Sequence, residues 1–356
     1  MLKLQRKETI DQSSVYAVPL IAIGCSLIFV FILFLLIGKN PILAIFIIFI
    51  EPLLSIFGLS ELLVKATPLI IIALGLSIGF RAGVWNIGAE GQYTIGALLG
   101  GATILVLYPI SGIWILPLAF LVAIIGGILW GAIPAFFKAK FNTNEILVSL
   151  MLTYVAILLL SAMVYGPLKN PDGFNFPESR LFHDSGTLPI IFPGTRAHIG
   201  FLIALILAGS MYYILKKHVF GYRVRVSGES SRALVFSGKS TNYMIYLSFI
   251  ISGALAGLAG VIEVSGPVGQ LVPAIPVGYG FTAIIVAFLG RLNPIGIFFA
   301  GLLLALTYIG GEAAQIKLGL PNAITGVFQG VLLFSLLAAE AFTNYTITIK
   351  KFTGNS

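Results

Sequence analysis

The stretch Phe80-Arg81-Ala82-Gly83-Val84-Trp85-Asn86-Ile87-Gly88-Ala89-Glu90-Gly91-Gln92 breaks an otherwise apolar region of the chain. Three glycines and four polar or charged side chains stand here between the apolar segments 61–80 and 92–109. In a bilayer core, irregular backbone and charged side chains are tolerated only where they face protein or a water-filled cavity. The stretch therefore predicts a broken helix at a pathway through the protein, with Glu90 at a positive helix end.

Composition places the whole chain in the membrane class. Hydrophobic residues make up 58% of the 356 positions, only 10% are charged, and the mean hydropathy is +1.04. A soluble domain carries roughly 25% charged residues, so this composition excludes a water-exposed surface of ordinary size. The apolar runs are continuous rather than alternating, which favours helices over an outer-membrane barrel.

Ten segments are predicted to span the bilayer, and all but 278–290 approach the roughly 20 apolar residues that a span needs. They lie at about 15–37, 61–80, 92–109, 113–136, 144–165, 198–215, 241–263, 278–290, 293–311 and 322–340. Segment 41–57 is short and is interrupted by Glu51-Pro52, so it is predicted to be a half-helix or an interfacial segment. Segment 278–290 is also short and is expected to be tilted, broken or extended into 273–277. The predicted fold class is an all-α integral membrane protein with about ten transmembrane helices and broken or re-entrant segments.

Basic residues predict the orientation, because cytoplasmic loops of membrane proteins are enriched in Lys and Arg. Fifteen of the 21 basic residues lie inside if the cytoplasmic parts are both termini, the 216–239 loop, Arg81, Lys138, Lys140 and Arg291. The net charge of +8 then reflects this bias and predicts no nucleic-acid partner. The predicted organisation is a cytoplasmic segment (1–14), one transmembrane domain (15–340) with an outside loop at 166–197, and a cytoplasmic tail (341–356). The chain is expected to be a multi-pass protein of the inner or plasma membrane.

The 216–239 loop holds six basic residues against the single acid Glu229. Residues 228–236 are predicted to form a short amphipathic helix. One interpretation is a loop that binds lipid head groups. The other is a docking surface for a cytoplasmic partner, which an exposed apolar face of Leu234, Val235 and Phe236 favours.

A second interruption echoes the first in the other half of the chain. Gly278-Tyr279-Gly280-Phe281 is followed by Gly290-Arg291-Leu292-Asn293-Pro294-Ile295-Gly296, so each half has an Arg before an Asn and a Gly-rich helix. Paired, interrupted apolar segments of this kind indicate a transport pathway and a possible internal repeat. The alternatives are that the echo is chance and that Arg81 and Glu90 only pair with each other near the interface.

Signals for chemistry are absent from the sequence. It has no P-loop, no nucleophile elbow, no HExxH and no Cys/His cluster, and His183, His198 and His218 are scattered. No enzyme activity and no metal site are expected. Gly253, Gly257 and Gly260 share one helical face and predict close helix packing, while Cys25 is expected to act as a small apolar residue.

Four separated stretches resemble the permeases of nucleoside and simple-sugar ABC import systems, within the branched-chain amino acid and ribose permease superfamily. The resemblance covers about residues 61–340 and points to the branch that works with basic-membrane-protein-type lipoprotein binders. The stretches are Thr67-Pro68-Leu69 with 81–92, Asn142-Thr143-Asn144-Glu145-Ile146 with Met151-Leu152, Ile251 to Gly260, and Gly278-Tyr279-Gly280-Phe281-Thr282.

The resemblance implies that 15–340 is a permease domain with several partners. These are an ABC ATPase that binds and hydrolyses ATP, a second homologous permease or a second copy, and an extracytoplasmic lipoprotein that delivers the solute near loops 166–197 and 264–277. This chain itself is expected to hold no cofactor.

The family's loop pattern Gly-Glu-Asn-Pro-Glu-Ala-Ala, three residues, Gly corresponds to residues 228–234 and Gly238. Arg232 replaces a Glu and Leu234 an Ala, so the docking contact is expected to differ in charge. The expected ATPase-docking residues are Arg223, Arg225, Glu229, Arg232, Ala233 and Gly238.

A nucleoside is uncharged and has a flat base, so aromatic stacking and amide hydrogen bonds suit it better than ion pairs. The predicted pathway residues are Asn86, Glu90, Gln92, Gln270, Tyr279 and Phe281. The alternative function is a stand-alone ion-coupled transporter or channel for a small polar solute, which would use Glu90, Glu263 and Arg291. The sequence leaves the substrate, and homodimer against heterodimer, open.

Overall fold

The structure is a computed structural model that describes residues 2–6, 12–236, 238–321 and 323–349. Helices dominate it. They are α1 (Gln12–Leu36), α2 (Pro41–Phe49), α3 (Ile56–Arg81), α4 (Ala89–Val106), α5 (Ile115–Phe141), α6 (Glu145–Tyr165), α7 (Gly200–Lys217), α8 (Val219–Glu229), α9 (Ser231–Phe236), α10 (Thr241–Glu263), α11 (Tyr279–Leu289), α12 (Pro294–Leu318) and α13 (Ala323–Asn344). Short 3-10 turns at Glu51–Leu54 and Asp184–Gly186 and a π turn at Val264–Val268 complete the helical part.

The predicted all-α membrane fold is confirmed. Seven of the described helices are long and apolar enough to cross a membrane: α1, α3, α5, α6, α7, α10 and α12. The three other predicted spans coincide with α4, α11 and α13, so each of the ten predicted segments is a helix. Segment 41–57 is not a span, because α2 has nine residues and a 3-10 turn follows at Glu51.

Helix α11 is too short to cross a bilayer. Its 11 residues extend about 16 Å at the α-helical rise, against a hydrocarbon core of roughly 30 Å. The backbone before it is irregular from Gly269 to Gly278, both of which adopt positive φ. The 278–290 segment is therefore a half-helix preceded by non-helical chain, as expected for a broken span.

The chain divides into two compact units, residues 1–51 with 310–356, and residues 52–309. In the first unit, strand β1 (Leu2–Arg6) pairs antiparallel with β2 (Tyr345–Ile349), with Leu2 opposite Ile349. This pairing was not predicted, and residues 1, 7–11 and 350–356 of the predicted terminal segments lie outside the described residues. Phe49 packs edge-to-face on Phe328, with ring centroids 5.5 Å apart.

The second unit, residues 52–309, is built around α3, which is 89% buried in its span, and α10. Small residues let the backbones of α10, α4 and α5 touch, as predicted for Gly253, Gly257 and Gly260. A Cβ on Gly253 would lie 2.3 Å from the Gly127 carbonyl oxygen, and one on Gly260 would lie 2.1 Å from the Tyr93 carbonyl oxygen. Without a hydrophobic driving force between helices in lipid, this close packing supplies much of their attraction.

Candidate functional site

The polar side chains of the α3–α4 connection bond to one another. Asn86 Nδ2 donates to Gln92 Oε1 (2.9 Å) and to Ser252 Oγ (2.7 Å), and Asn86 Oδ1 accepts from the Gly88 backbone N–H (3.0 Å). Asn86 and Gln92 are nearly inaccessible to solvent. These two predicted pathway residues therefore fix the loop to α10, and their amides are used within the protein.

Glu90 joins the start of α4 to the start of α11. Its carboxylate oxygens accept hydrogen bonds from the backbone N–H groups of Gly278 (2.8 Å) and Gly280. A negative charge at a helix N-terminus is stabilised by the partial positive charge there, and Glu90 lies in the first turn of α4 as well. A Cβ on Gly280 would lie 2.2 Å from the Glu90 backbone nitrogen. The two helix starts are therefore in backbone contact, bridged by one carboxylate.

Arg81 holds the opposite end of α11. Its Nε and one terminal nitrogen donate to the Leu292 carbonyl oxygen at 3.1 and 2.8 Å. Arg291 and Leu292 both have positive φ (52° and 56°), which non-glycine residues rarely adopt without support from their surroundings. Arg81 and Glu90 thus each bond to backbone at one end of α11, so the alternative that they pair with each other is wrong.

The remaining predicted pathway residues lie in different surroundings. Tyr279 is fully buried, and its ring meets those of Tyr93 (6.0 Å) and Tyr308 (5.5 Å). Phe281, two residues on, is 38% exposed. Gln270 lies in the chain before α11 and donates to Glu178 of the long loop (3.4 Å). The predicted set therefore does not form one surface.

Sequence reasoning missed the side chains around Tyr279. Lys65 of α3 lies 5.9 Å from the Tyr279 ring centroid, and Thr282 shares a 2.8 Å hydrogen bond with Tyr308. A lysine inside an apolar run is a detectable signal, because intramembrane charges are rare and usually functional. Nothing in the sequence places the three tyrosines together.

The long loop 166–197 is attached to the irregular chain before α11. Leu188 donates its N–H to the Ser265 carbonyl (2.7 Å), Phe182 to Gly269 (2.8 Å) and Ser179 to Leu271 (2.9 Å). Backbone pairing at three points fixes this loop against residues 264–271. The two loops that were expected to receive solute therefore form one connected structure.

His198 lies at the end of the long loop, just before α7. Its Nδ1 accepts the Gly200 N–H (3.2 Å), while its buried Nε2 has no hydrogen-bond partner among the described residues. Burial lowers the pKa of His198 from 6.5 to about 4, because a low-dielectric site disfavours the charged ring. His198 is therefore neutral at pH 7.

The 216–239 loop forms two helices, α8 and α9, separated at Ser230. Helix α8 sits on the end of α3: Ser227 Oγ donates to the Ala82 carbonyl (3.2 Å), and a Cβ on Gly228 would lie 2.0 Å from the Arg81 carbonyl oxygen. The loop therefore contacts the residue that holds the turn after α11.

The solvent exposure of side chains in the 216–239 loop shows that one prediction was wrong. Leu234 is fully buried in a core cluster with Met244 and Phe249, so it is not part of an exposed apolar face. Val235 and Phe236 are 60% and 93% exposed. The predicted docking residues that face solvent are Arg225, Glu229, Arg232, Ala233 and Gly238, with Arg223 half-buried.

Residues 58–337 match the family described as branched-chain amino acid transport system / permease component. The chain belongs to this family. It is 34% identical to the glucose ABC transporter permease protein TsgB13 of Haloferax volcanii, over 98% of this chain and 94% of that protein. It is 30% identical to the guanosine ABC transporter permease protein NupP of Bacillus subtilis, over 83% of this chain and 86% of that protein. It is 28% identical to the nucleoside ABC transporter permease protein NupB of Lactococcus lactis, over 89% of each chain.

Family membership confirms the prediction made from the four sequence stretches. The protein is a multi-pass membrane permease of the ABC importer type. In this permease, α11 is the broken helix, and Arg81 and Glu90 hold its two ends from either side of the 82–89 connection.

Proposed function

We propose that this permease translocates an uncharged nucleoside or simple sugar into the cell, driven by ATP that a partner ATPase hydrolyses. The observation that carries the proposal is its similarity to permeases named for glucose and for guanosine. Both named solutes are neutral and hydroxylated. An extracytoplasmic binding protein delivers the solute at the long loop, and a second permease subunit, a relative or another copy, completes the pathway.

The orientation follows from the distribution of basic residues. Arg81, Lys138 and the 216–239 loop lie at one end of the 52–309 unit, where Ala82, Lys138 and Ser227 line the same cavity. Positive residues favour the cytoplasmic side, so this basic end faces the cytoplasm and both termini are cytoplasmic. The long loop 166–197 then faces outward.

The 216–239 loop is the ATPase-docking surface. It offers solvent-exposed Arg225, Arg232 and Glu229 beside the exposed Phe236, a mixture of charge and apolar area that suits a protein partner. The core packing of Leu234 fixes α9 to the bundle. Force applied to α8 and α9 is therefore passed to the permease.

Residues 81–90 carry that motion to α11. Gly228 and Ser227 of α8 lie against the Arg81 and Ala82 backbone. Arg81 holds the Leu292 turn at one end of α11, and Glu90 holds Gly278 and Gly280 at the other. Displacement of α8 would therefore move α11 as a unit and shift Tyr279 and Phe281, which line the pathway. Asn86, Gln92 and Gln270 position the chain around it.

Uptake of radiolabelled guanosine and glucose tests the function. Proteoliposomes would contain this chain with its candidate ATPase, second permease and binding protein, and each component would be omitted in turn. ATP-dependent uptake that needs every component is expected. Uptake by the chain alone under an ion gradient would instead assign the protein to the ion-coupled transporters.

Co-purification tests the docking surface. Reversing the charge of Arg223 and Arg225 to Glu should weaken retention of the ATPase on the tagged permease, whereas Lys169→Glu in the long loop serves as a matched control. Equal retention by all variants would remove the 216–239 loop from the docking role.

A further inference from the structure

Three tyrosines from three helices meet beside the start of α11. Tyr93 of α4 and Tyr308 of α12 lie on either side of Tyr279, with centroid distances of 6.0 and 5.5 Å. The Tyr279–Tyr93 pair is perpendicular and the Tyr279–Tyr308 pair is inclined at 65°. Tyrosines in such a group offer flat apolar faces together with hydroxyls, the combination that sugar and nucleoside sites use.

Two ionisable side chains border these rings within membrane-spanning helices. Lys65 of α3 lies over the Tyr279 ring. Glu263 is the last residue of α10, the helix whose Gly260 packs against the Tyr93 carbonyl. Glu263 is only 8% exposed. Charged groups at membrane depth are costly and mark functional sites by default. Neither residue takes part in the bonds that Arg81 and Glu90 make to the two ends of α11, or in the docking loop.

The Tyr93 hydroxyl shows that the group is incomplete without a further polar atom. Tyr93 is fully buried, and its hydroxyl has no hydrogen-bond partner among the described residues. Buried polar groups in native proteins are nearly always hydrogen-bonded, so this hydroxyl points to a ligand or water in the group.

The charges around the group select for a neutral solute. The N–H groups of Gly278 and Gly280 at the start of α11 already bond to Glu90, so they are not available to an anion. Guanosine and glucose differ in their rings but share neighbouring hydroxyls. A carboxylate accepts from two such hydroxyls, while an ammonium group donates to one of them.

We propose that Lys65, Glu263 and the tyrosines Tyr93, Tyr279 and Tyr308 form a solute-selecting site that recognises the vicinal diol of a neutral ribose or hexose. This rests on the proposed import of such solutes. Glu263 accepts from the diol, Lys65 and the Tyr93 hydroxyl bond to its oxygens, and the Tyr279 and Tyr308 rings pack on the sugar or base. Lys65 and Tyr308 are half-buried and are the more accessible members of the group.

The test compares guanosine with 2′-deoxyguanosine, which lacks the vicinal diol, in the reconstituted transporter. The binding protein is preloaded to saturation with each compound, so that its own preference does not enter the transport rate. The wild type should transport the diol compound roughly tenfold faster or more, because charged hydrogen bonds to a hydroxyl discriminate strongly. Glu263→Gln should lower this ratio several-fold, because a neutral amide oxygen accepts more weakly than a carboxylate.

The Tyr93→Phe variant distinguishes a role of the hydroxyl in solute recognition from a role in protein stability. It removes only an unpaired buried hydroxyl, so the melting temperature of the complex should hold or rise while the diol preference falls several-fold. Tyr154→Phe, on an exposed residue of α6, is the control and should retain the preference.

Two results would overturn the proposal, and they are distinguishable. Wild-type uptake of the parent compounds with ratios unchanged by Glu263→Gln and Tyr93→Phe would remove this site while leaving the importer intact. Absence of ATP-dependent uptake of guanosine and glucose by the complete wild-type system would remove the proposed function and this site with it.

Discussion

Replacing Gly280 by Ala should uncouple α11 from α4. The added Cβ would lie 2.2 Å from the Glu90 backbone nitrogen and 2.5 Å from its Cα, which are backbone atoms and cannot rotate away. Reaching an ordinary contact of 3.4 Å needs an opening of about 1.2 Å, which also stretches the bond from the Gly280 N–H to the Glu90 carboxylate.

The energetic effect follows from these two changes. Overpacking costs about 1–3 kcal/mol, and weakening a hydrogen bond to a charged group costs about 1.5–3 kcal/mol. Together they predict destabilisation of the α4–α11 junction by roughly 2.5–6 kcal/mol.

Two assays on the reconstituted complex measure this. ATP-dependent uptake should fall at least tenfold, while ATP hydrolysis continues because the docking loop is untouched. Gly209→Ala, where no atom lies within 4 Å of the new Cβ, should transport normally. Wild-type uptake by Gly280→Ala would refute the view that contact between α4 and α11 is required for transport.

Three further changes probe the surrounding structure. Asn86→Leu should destabilise the permease by about 2–4 kcal/mol in detergent unfolding, because it leaves the buried Gln92 amide without its partner; an unchanged unfolding midpoint would contradict the hydrogen-bond network. Leu234→Ala should cost about 2–5 kcal/mol, whereas the exposed Val235→Ala should stay within about 0.5 kcal/mol, and equal melting temperatures would refute the burial of Leu234. Burial lowers the pKa of His198 to about 4. The contribution of the neutral ring to the free energy of unfolding is therefore fully present above pH 6.5. It is lost as the pH falls towards 4, because the unfolded state takes up the proton first. His198→Leu should flatten that part of the stability profile, and an unaltered profile would show that His198 does not titrate as described.

Much of the fold could be predicted from the sequence, because lipid imposes strict local rules. Each span must be apolar along its length and must satisfy its own backbone, so α1 and α10 are visible as runs without charge. The same rule predicted that segment 41–57 does not span the bilayer. It also predicted that 278–290 is too short to be a regular span. The glycines of α10 were predictable as packing residues because their spacing follows the helical period.

The candidate site was predictable only in part. Glu90 was correctly placed at a helix start, yet its partners lie 188 and 190 residues away at Gly278 and Gly280. Asn86 and Gln92 have the residue types of a binding site, and nothing local reveals that they bond to each other. Leu234 was predicted to share an exposed apolar face with Val235 and Phe236, whereas its side chain is buried.

The sequence by itself determined the class of protein, the positions of its helices and the family, because these depend on composition, local period and short motifs. Only the tertiary structure decided that Arg81 and Glu90 hold the two ends of α11, since Arg81 meets Leu292 across 211 residues. It alone brought Tyr93, Tyr279 and Tyr308 together with Lys65. Such contacts depend on how the helices cross in space. The pattern of apolar runs along the sequence does not specify which polar side chains then face one another.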